Sequence, residues 1–154
     1  MPSPRTRWIG LVVVSLAVAL IIVDSTIVTV AVPSIVEELG LSSTEVQWVQ
    51  ESYTLVFASL LLVFGTLADR IGRRRMLLLG ITIFALSSVV AALAGSGGAL
   101  IAARVVQGVG GAMLLPTTLS IINAGFRGKD RAIAFAVWGS TIGGMAAVGP
   151  LLGG

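Results

Sequence analysis

Apolar and polar positions fall along this chain in long blocks, not at the short spacing of a water-facing helix or strand. Apolar stretches occupy approximately residues 8–32, 46–68, 76–94, 99–124 and 132–154, with charges inside them only at Asp24, Glu51 and Arg104. Each is about 20 residues or longer, the length a helix needs at ~1.5 Å per residue to cross ~30 Å of hydrocarbon. The pattern predicts an all-α integral membrane protein with five transmembrane helices at about those bounds.

The segments between the spans differ sharply in charge. Pro33, Glu37, Glu38, Gly40 and Leu41-Ser42-Ser43-Thr44-Glu45 read as a polar, acidic loop in which Ser42 or Ser43 is placed to cap the second helix. Gly95-Ser96-Gly97-Gly98 reads as a minimal turn, and Gly125 to Arg131 as a basic loop with Arg127, Lys129 and Arg131. Between the second and third spans lies a dense hinge, Gly65-Thr66-Leu67-Ala68-Asp69-Arg70-Ile71-Gly72-Arg73-Arg74-Arg75-Met76, which packs five charges into twelve positions. Lys and Arg occur in the N-terminal tail (Arg5, Arg7), in this hinge and in the fourth loop, but not in loops one and three. That alternation predicts a cytoplasmic N-terminus and an outward-running fifth span. Arg5 and Arg7 ahead of an apolar run also resemble a signal peptide. The run continues past Asp24 to Val32 without a small-residue cleavage site, so the first span is expected to stay in the membrane.

Composition agrees with the pattern and narrows the chemistry. The chain is 56% hydrophobic and 11% charged, with a mean hydropathy of +1.03. Its net charge of +3 comes from short patches between spans, which favours topology over nucleic-acid binding. Cys and His are both absent, which removes disulfides, thiol chemistry and imidazole metal sites, and leaves proton handling to carboxylates. No nucleophile–base pair, metal cluster or cofactor loop supports an enzyme.

The ionisable residues within the spans are the strongest functional candidates, because an unpaired charge in hydrocarbon costs at least ~2.5 kcal/mol. Asp24 lies about eight residues short of the outer end of the first span, and Arg104 about five residues inside the fourth, so the two lie at comparable depth. A structural ion pair and a proton-accepting Asp24 tuned by Arg104 are both open, and they are compatible. Gln107, one turn from Arg104, shares its face. Glu51 lies near the outer end of the second span beside Trp48, solvated at the interface or facing a cavity. Asp69, at the C-terminal end of its helix, and Arg73 to Arg75, at the N-terminus of theirs, oppose the helix dipoles. Asp69 is thus a counter-ion for the arginines or part of a switch. Gly108-Val109-Gly110-Gly111 lacks a preceding strand and a third correctly spaced glycine, so it is no dinucleotide loop. Gly139-x-x-x-Gly143 and Gly149-x-x-x-Gly153 are helix-packing patterns, and Pro150 is expected to bend or break the fifth span.

Together these motifs resemble the N-terminal part of a major facilitator superfamily transporter, specifically the fourteen-span drug:proton antiporter branch. Gly65-x-Leu67-Ala68-Asp69-Arg70-x-Gly72-Arg73-Arg74-Arg75 matches the superfamily signature between spans two and three. Asp24 to Pro33 resembles the first-span motif of the drug-efflux branch, with Thr29 for the usual Asn and Val32 for Leu. Arg104-Val-Val-Gln107-Gly108 resembles the fourth-span motif. Gly149-Pro150-Leu-Leu-Gly153 resembles the antiporter motif, with Met145 where an earlier glycine is usual.

The resemblance implies part of an N-terminal six-helix bundle in a bacterial inner membrane, with substrate bound between two such bundles. It further implies proton-coupled efflux of small hydrophobic or cationic compounds, driven by the proton gradient with no cofactor or metal. Asp24 would alternate between proton and substrate, and Arg104 would assist. Gly65, Asp69, Arg70, Gly72 and Arg73 would form a conformational switch against the missing C-terminal half, and the Pro150 helix would resist leak. The implied partners are the lipid bilayer, the substrate and that missing half, without nucleic acid. Five helices do not complete one bundle, so the chain is expected not to transport alone. The alternatives are a sugar or metabolite facilitator of the same superfamily and a small membrane protein that binds a partner through its helices.

Overall fold

The structure, a computed structural model, describes residues 4–153. Five helices follow one another: α1 (Pro4–Leu39), α2 (Ser43–Ile71), α3 (Arg73–Ala92), α4 (Gly97–Gly125) and α5 (Gly128–Gly153). All five are long and apolar enough to cross a membrane.

α4 is the central helix. It packs most extensively on α2 and α3 and also on α1, while α1 carries α5 on its other side. α4 runs antiparallel to α1, as Arg7 meets Gly125 at one level and Asp24 meets Arg104 at another. The residues that let α4 approach its neighbours so closely are glycines. A Cβ on Gly108 would lie 2.7 Å from the Tyr53 carbonyl oxygen of α2, and one on Gly110 would lie 2.8 Å from the Phe84 nitrogen of α3. Without a hydrophobic force between helices in lipid, such backbone-to-backbone approach supplies much of the association. The Gly108–Gly111 cluster is therefore packing surface.

The connections are shorter than the sequence suggested. The segment expected as an acidic loop is helical as far as Leu39, with Pro33 inside α1. Ile35, Val36 and Leu39 pack with Leu41, Val46, Val49 and Leu100 in an apolar cluster at that end of the bundle. This packing outweighs the single hydrogen bond that Pro33 cannot donate. Ser42 caps α2 in a reciprocal box: its hydroxyl accepts from the Glu45 N–H, and its own N–H donates to the Glu45 carboxylate at 2.9 Å. The charged hinge contracts to one residue, Gly72, whose φ of +99° suits glycine alone. Only Phe126 and Arg127 separate α4 from α5, so Lys129 and Arg131 fall in the first turn of α5.

Of the bend or break expected at Pro150, the break is absent: α5 runs through it as one helix. Cβ atoms added at Gly139 or Gly143 would meet nothing within 4 Å, so this pattern packs against no helix among the described residues. Gly149 and Gly153 belong to the same helix, but their surroundings lie outside the described residues.

Alternation of the helices gathers Arg5, Arg7, Arg70, Arg73, Arg74, Arg75, Arg127, Lys129 and Arg131 at one end of the bundle, opposite Glu37, Glu38 and Glu45. Arg104 is the one basic residue placed elsewhere.

Candidate functional site

α1, α3 and α4 bring four polar side chains together between the two ends of the bundle. Arg104 Nη1 donates to Asp24 Oδ2 at 2.5 Å and to Gln107 Oε1 at 2.8 Å, while its Nε donates to the Val49 carbonyl of α2 at 3.3 Å. Gln107 Nε2 donates to the other Asp24 oxygen at 2.8 Å and to Ser88 Oγ of α3 at 2.7 Å. Ser88 Oγ in turn donates to the Phe84 carbonyl at 2.9 Å. The Arg104 guanidinium also lies over the Tyr53 ring, 4.3 Å from its centroid. The i, i+3 spacing of Arg104 and Gln107 puts both on one face of α4, and Gly108 beside them lets α2 approach closely enough to supply Tyr53 and the Val49 carbonyl.

Burial is uneven across the pair. The Arg104 side chain is 2% exposed and that of Asp24 is 17% exposed, so the carboxylate sits nearer the edge of the cluster. Both Asp24 oxygens are bound, so the ionised form is fully satisfied. Arg104 in turn has three further partners: the Gln107 oxygen, the Val49 carbonyl and the Tyr53 ring. Buried pairs normally lose about 3–5 kcal/mol when one partner is removed, because the other charge is left uncompensated; of the Arg104 contacts, those to Gln107, Val49 and Tyr53 do not depend on Asp24.

Sequence reasoning placed Asp24, Arg104 and Gln107 together, and the structure joins them. It missed Ser88 and the role of Tyr53. A serine in a charge-free span was the available signal for the first, whereas Tyr53 lay where aromatic residues usually mark the interface. Glu51 is not part of this cluster. It is exposed on another face of α2 beside Trp48 and Thr54, and accepts a bond from Gln47 Nε2 at 3.1 Å.

The second candidate is the hinge. Asp69 is the counter-ion of Arg73, at 3.2 Å. Both side chains are substantially exposed, so the pair alone contributes little. Arg73 Nη1 also donates to the Ser120 carbonyl of α4 at 3.0 Å, tying the hinge to the central helix. A Cβ added at Gly65 would lie 3.6 Å from the Pro116 Cβ of α4, and an open groove of about 490 Å³ runs past Gly65, Thr66, Asp69, Arg70 and Pro116. Gly72 supplies the turn between Arg70 and Arg73. Pro150 is exposed on α5, remote in sequence from both places.

Comparison with known proteins puts this geometry in context. The family profile described as Major Facilitator Superfamily matches residues 14–154. The puromycin resistance protein pur8 of Streptomyces alboniger is 47% identical over 154 residues, covering 99% of this chain and 30% of that protein. The multidrug efflux pump LfrA of Mycolicibacterium smegmatis is 43% identical over 153 residues, again across 99% of this chain and 30% of the relative. The methyl viologen resistance protein SmvA of Salmonella typhimurium is 42% identical over 149 residues. Among solved structures, a bacterial homolog of the human lysosomal transporter Spinster, in an inward-facing and unoccupied conformation, superposes with a TM-score of 0.88 at 26% identity, over 99% of this chain and 32% of the other. The chain thus spans about 30% of the length of the curated relatives it matches.

Proposed function

The chain belongs to the major facilitator superfamily, and we propose that it is the N-terminal part of a proton-coupled efflux transporter for small hydrophobic or cationic compounds. The observation that carries this reading is the membrane-embedded Asp24, bound at both oxygens by Arg104 and Gln107, beside an arginine with partners to spare. A proton carrier must exist in two charge states inside the membrane; the charged state of Asp24 has both oxygens bound, and Arg104 has three contacts that do not depend on that charge. The names of the relatives, which speak of drug resistance and multidrug efflux, support the substrate class.

In this reading Asp24 takes a proton from the outer side as substrate leaves there and gives it up inside as the next substrate binds, with the proton gradient as sole energy source. Protonation frees Arg104 to lean on Gln107, Val49 and Tyr53, which shifts the packing of α4 against α1. The bridge from Asp69 through Arg73 to the Ser120 carbonyl, with Gly65 and Arg70 along the neighbouring groove, is the surface against which the C-terminal half locks one access state. The Gly149-Pro150-Gly153 segment of α5 resists proton leak. In this reading the basic end of the bundle faces the cytoplasm, with the N-terminus on the cytoplasmic side of a bacterial inner membrane.

The test is Asp24→Asn in the full-length protein, expressed in cells lacking their own drug pumps. Insertion should match wild type while extrusion of a fluorescent dye is lost. Retained extrusion by this variant would remove Asp24 from the coupling mechanism.

A further inference from the structure

We infer that Ser88 is a positioning residue for the Asp24 cluster. By holding the Gln107 amide from α3, it keeps an N–H donor aimed at the Asp24 carboxylate while that group loses and regains its charge. The inference rests on the transporter reading above. An amide side chain offers two N–H donors and one oxygen, and a hydroxyl offers one proton and two lone pairs. Here every donor has its place. Ser88 Oγ donates to the Phe84 carbonyl at 2.9 Å, one turn back on its own helix, which leaves only lone pairs facing the cluster. These accept from Gln107 Nε2 at 2.7 Å, and the same nitrogen donates to Asp24 Oδ1 at 2.8 Å. Gln107 Oε1 accepts from Arg104 Nη1 at 2.8 Å. Gln107 is fully buried, so bulk water cannot stand in for a lost partner.

The three contacts of the amide do not persist equally. The bond to Asp24 weakens when the carboxylate takes up a proton, because a bond to a charged acceptor is the stronger kind. A carboxylic O–H could then donate to the amide oxygen, which favours turning the amide end for end. Two neighbours oppose that turn. Nε2 would meet Arg104 donor to donor, and Oε1 would meet the Ser88 oxygen unless that hydroxyl gave up the Phe84 carbonyl. Arg104 and Gln107 both ride on α4, so their mutual bond moves with that helix. Once Asp24 of α1 lets go, Ser88 is the printed-distance tie that holds the amide to another helix. Without it, the donor is free to turn away before the carboxylate returns.

The experiment uses the full-length protein in proteoliposomes, with ethidium exchange driven by a pH gradient. Ser88→Ala should lower kcat at least fivefold and leave the ethidium KM within twofold, since the anchor serves proton handling and not substrate binding. Ser88→Thr, which keeps the accepting oxygen, should recover at least half of the wild-type kcat. A second readout follows the Gln107 side-chain amide by magnetic resonance with isotope-labelled glutamine, its signals identified by their loss in Gln107→Leu. Its hydrogens should exchange with deuterated water at least tenfold faster in Ser88→Ala than in wild type, and at the wild-type rate in Ser88→Thr. A Ser88→Ala kcat within twofold of wild type, a matching change in KM, a threonine variant as slow as alanine, or unchanged amide exchange would overturn the proposal. A wild-type protein that moves no ethidium would sink the efflux reading. Faster amide exchange in Ser88→Ala, restored in Ser88→Thr, would even then uphold the anchor.

Discussion

Gly110→Ala tests the packing that assembles the Asp24 cluster. The added methyl would lie 2.8 Å from the Phe84 nitrogen, 3.1 Å from the Gly80 oxygen and 3.1 Å from the Phe84 Cα. All three atoms are α3 backbone, so no side-chain rotation relieves the clash, and α3 must move away from α4 by a large fraction of an ångström. Overpacking of this kind costs about 1–3 kcal/mol, or a shift of roughly 5- to 140-fold in the folding equilibrium. The displacement also acts on function, since Ser88 on the same face of α3 binds Gln107 at 2.7 Å. The assay is thermal denaturation of the detergent-solubilised full-length protein, followed by the fraction remaining monodisperse. Gly110→Ala should melt several degrees below wild type. Gly10→Ala, where a Cβ meets nothing within 4 Å, should melt with it. Equal melting of all three proteins would refute the claim that glycine contact holds α3 on α4.

Other outcomes follow from the same geometry. Arg104→Lys keeps the charge but cannot bond Asp24, Gln107 and the Val49 carbonyl together while covering the Tyr53 ring. Inserted protein with dye extrusion reduced at least tenfold is expected, and wild-type extrusion would contradict a multi-partner role. Because the chain has no cysteine, single cysteines report sidedness cleanly if the rest of the protein is made cysteine-free. Glu38→Cys should react with an impermeant maleimide added outside intact cells, and Arg75→Cys only after the membrane is opened. The reverse pattern would invert the topology.

How much of this was legible in the sequence varied with the physics involved. The spans were, because hydrocarbon forces apolar runs of one length. The Asp24–Arg104 pairing was also legible, because charges confined to a membrane have few partners and helix rise fixes their depth. The continuation of α1 through Pro33 was not, since it depends on Ile35, Val36 and Leu39 meeting Leu100 and Val49, a tertiary contact without local signal. The small-residue patterns show the same limit from two sides. Gly108 and Gly110 pack against neighbouring backbone, whereas Gly139 and Gly143, with the more familiar spacing, face open space in this chain. Spacing announces that a close approach is possible, but only the partner helix decides whether it occurs. Tyr53 was hidden for a related reason: its ring reads as an interfacial anchor until α4 brings Arg104 over it.

The most direct test of the central claim is transport in proteoliposomes containing the full-length protein, under an imposed pH gradient with no other energy source. Wild type should move ethidium against its concentration gradient while protons move the opposite way, and Asp24→Asn should move neither. Ethidium movement that persists without a pH gradient, or in Asp24→Asn with one, would contradict a proton-coupled mechanism centred on Asp24.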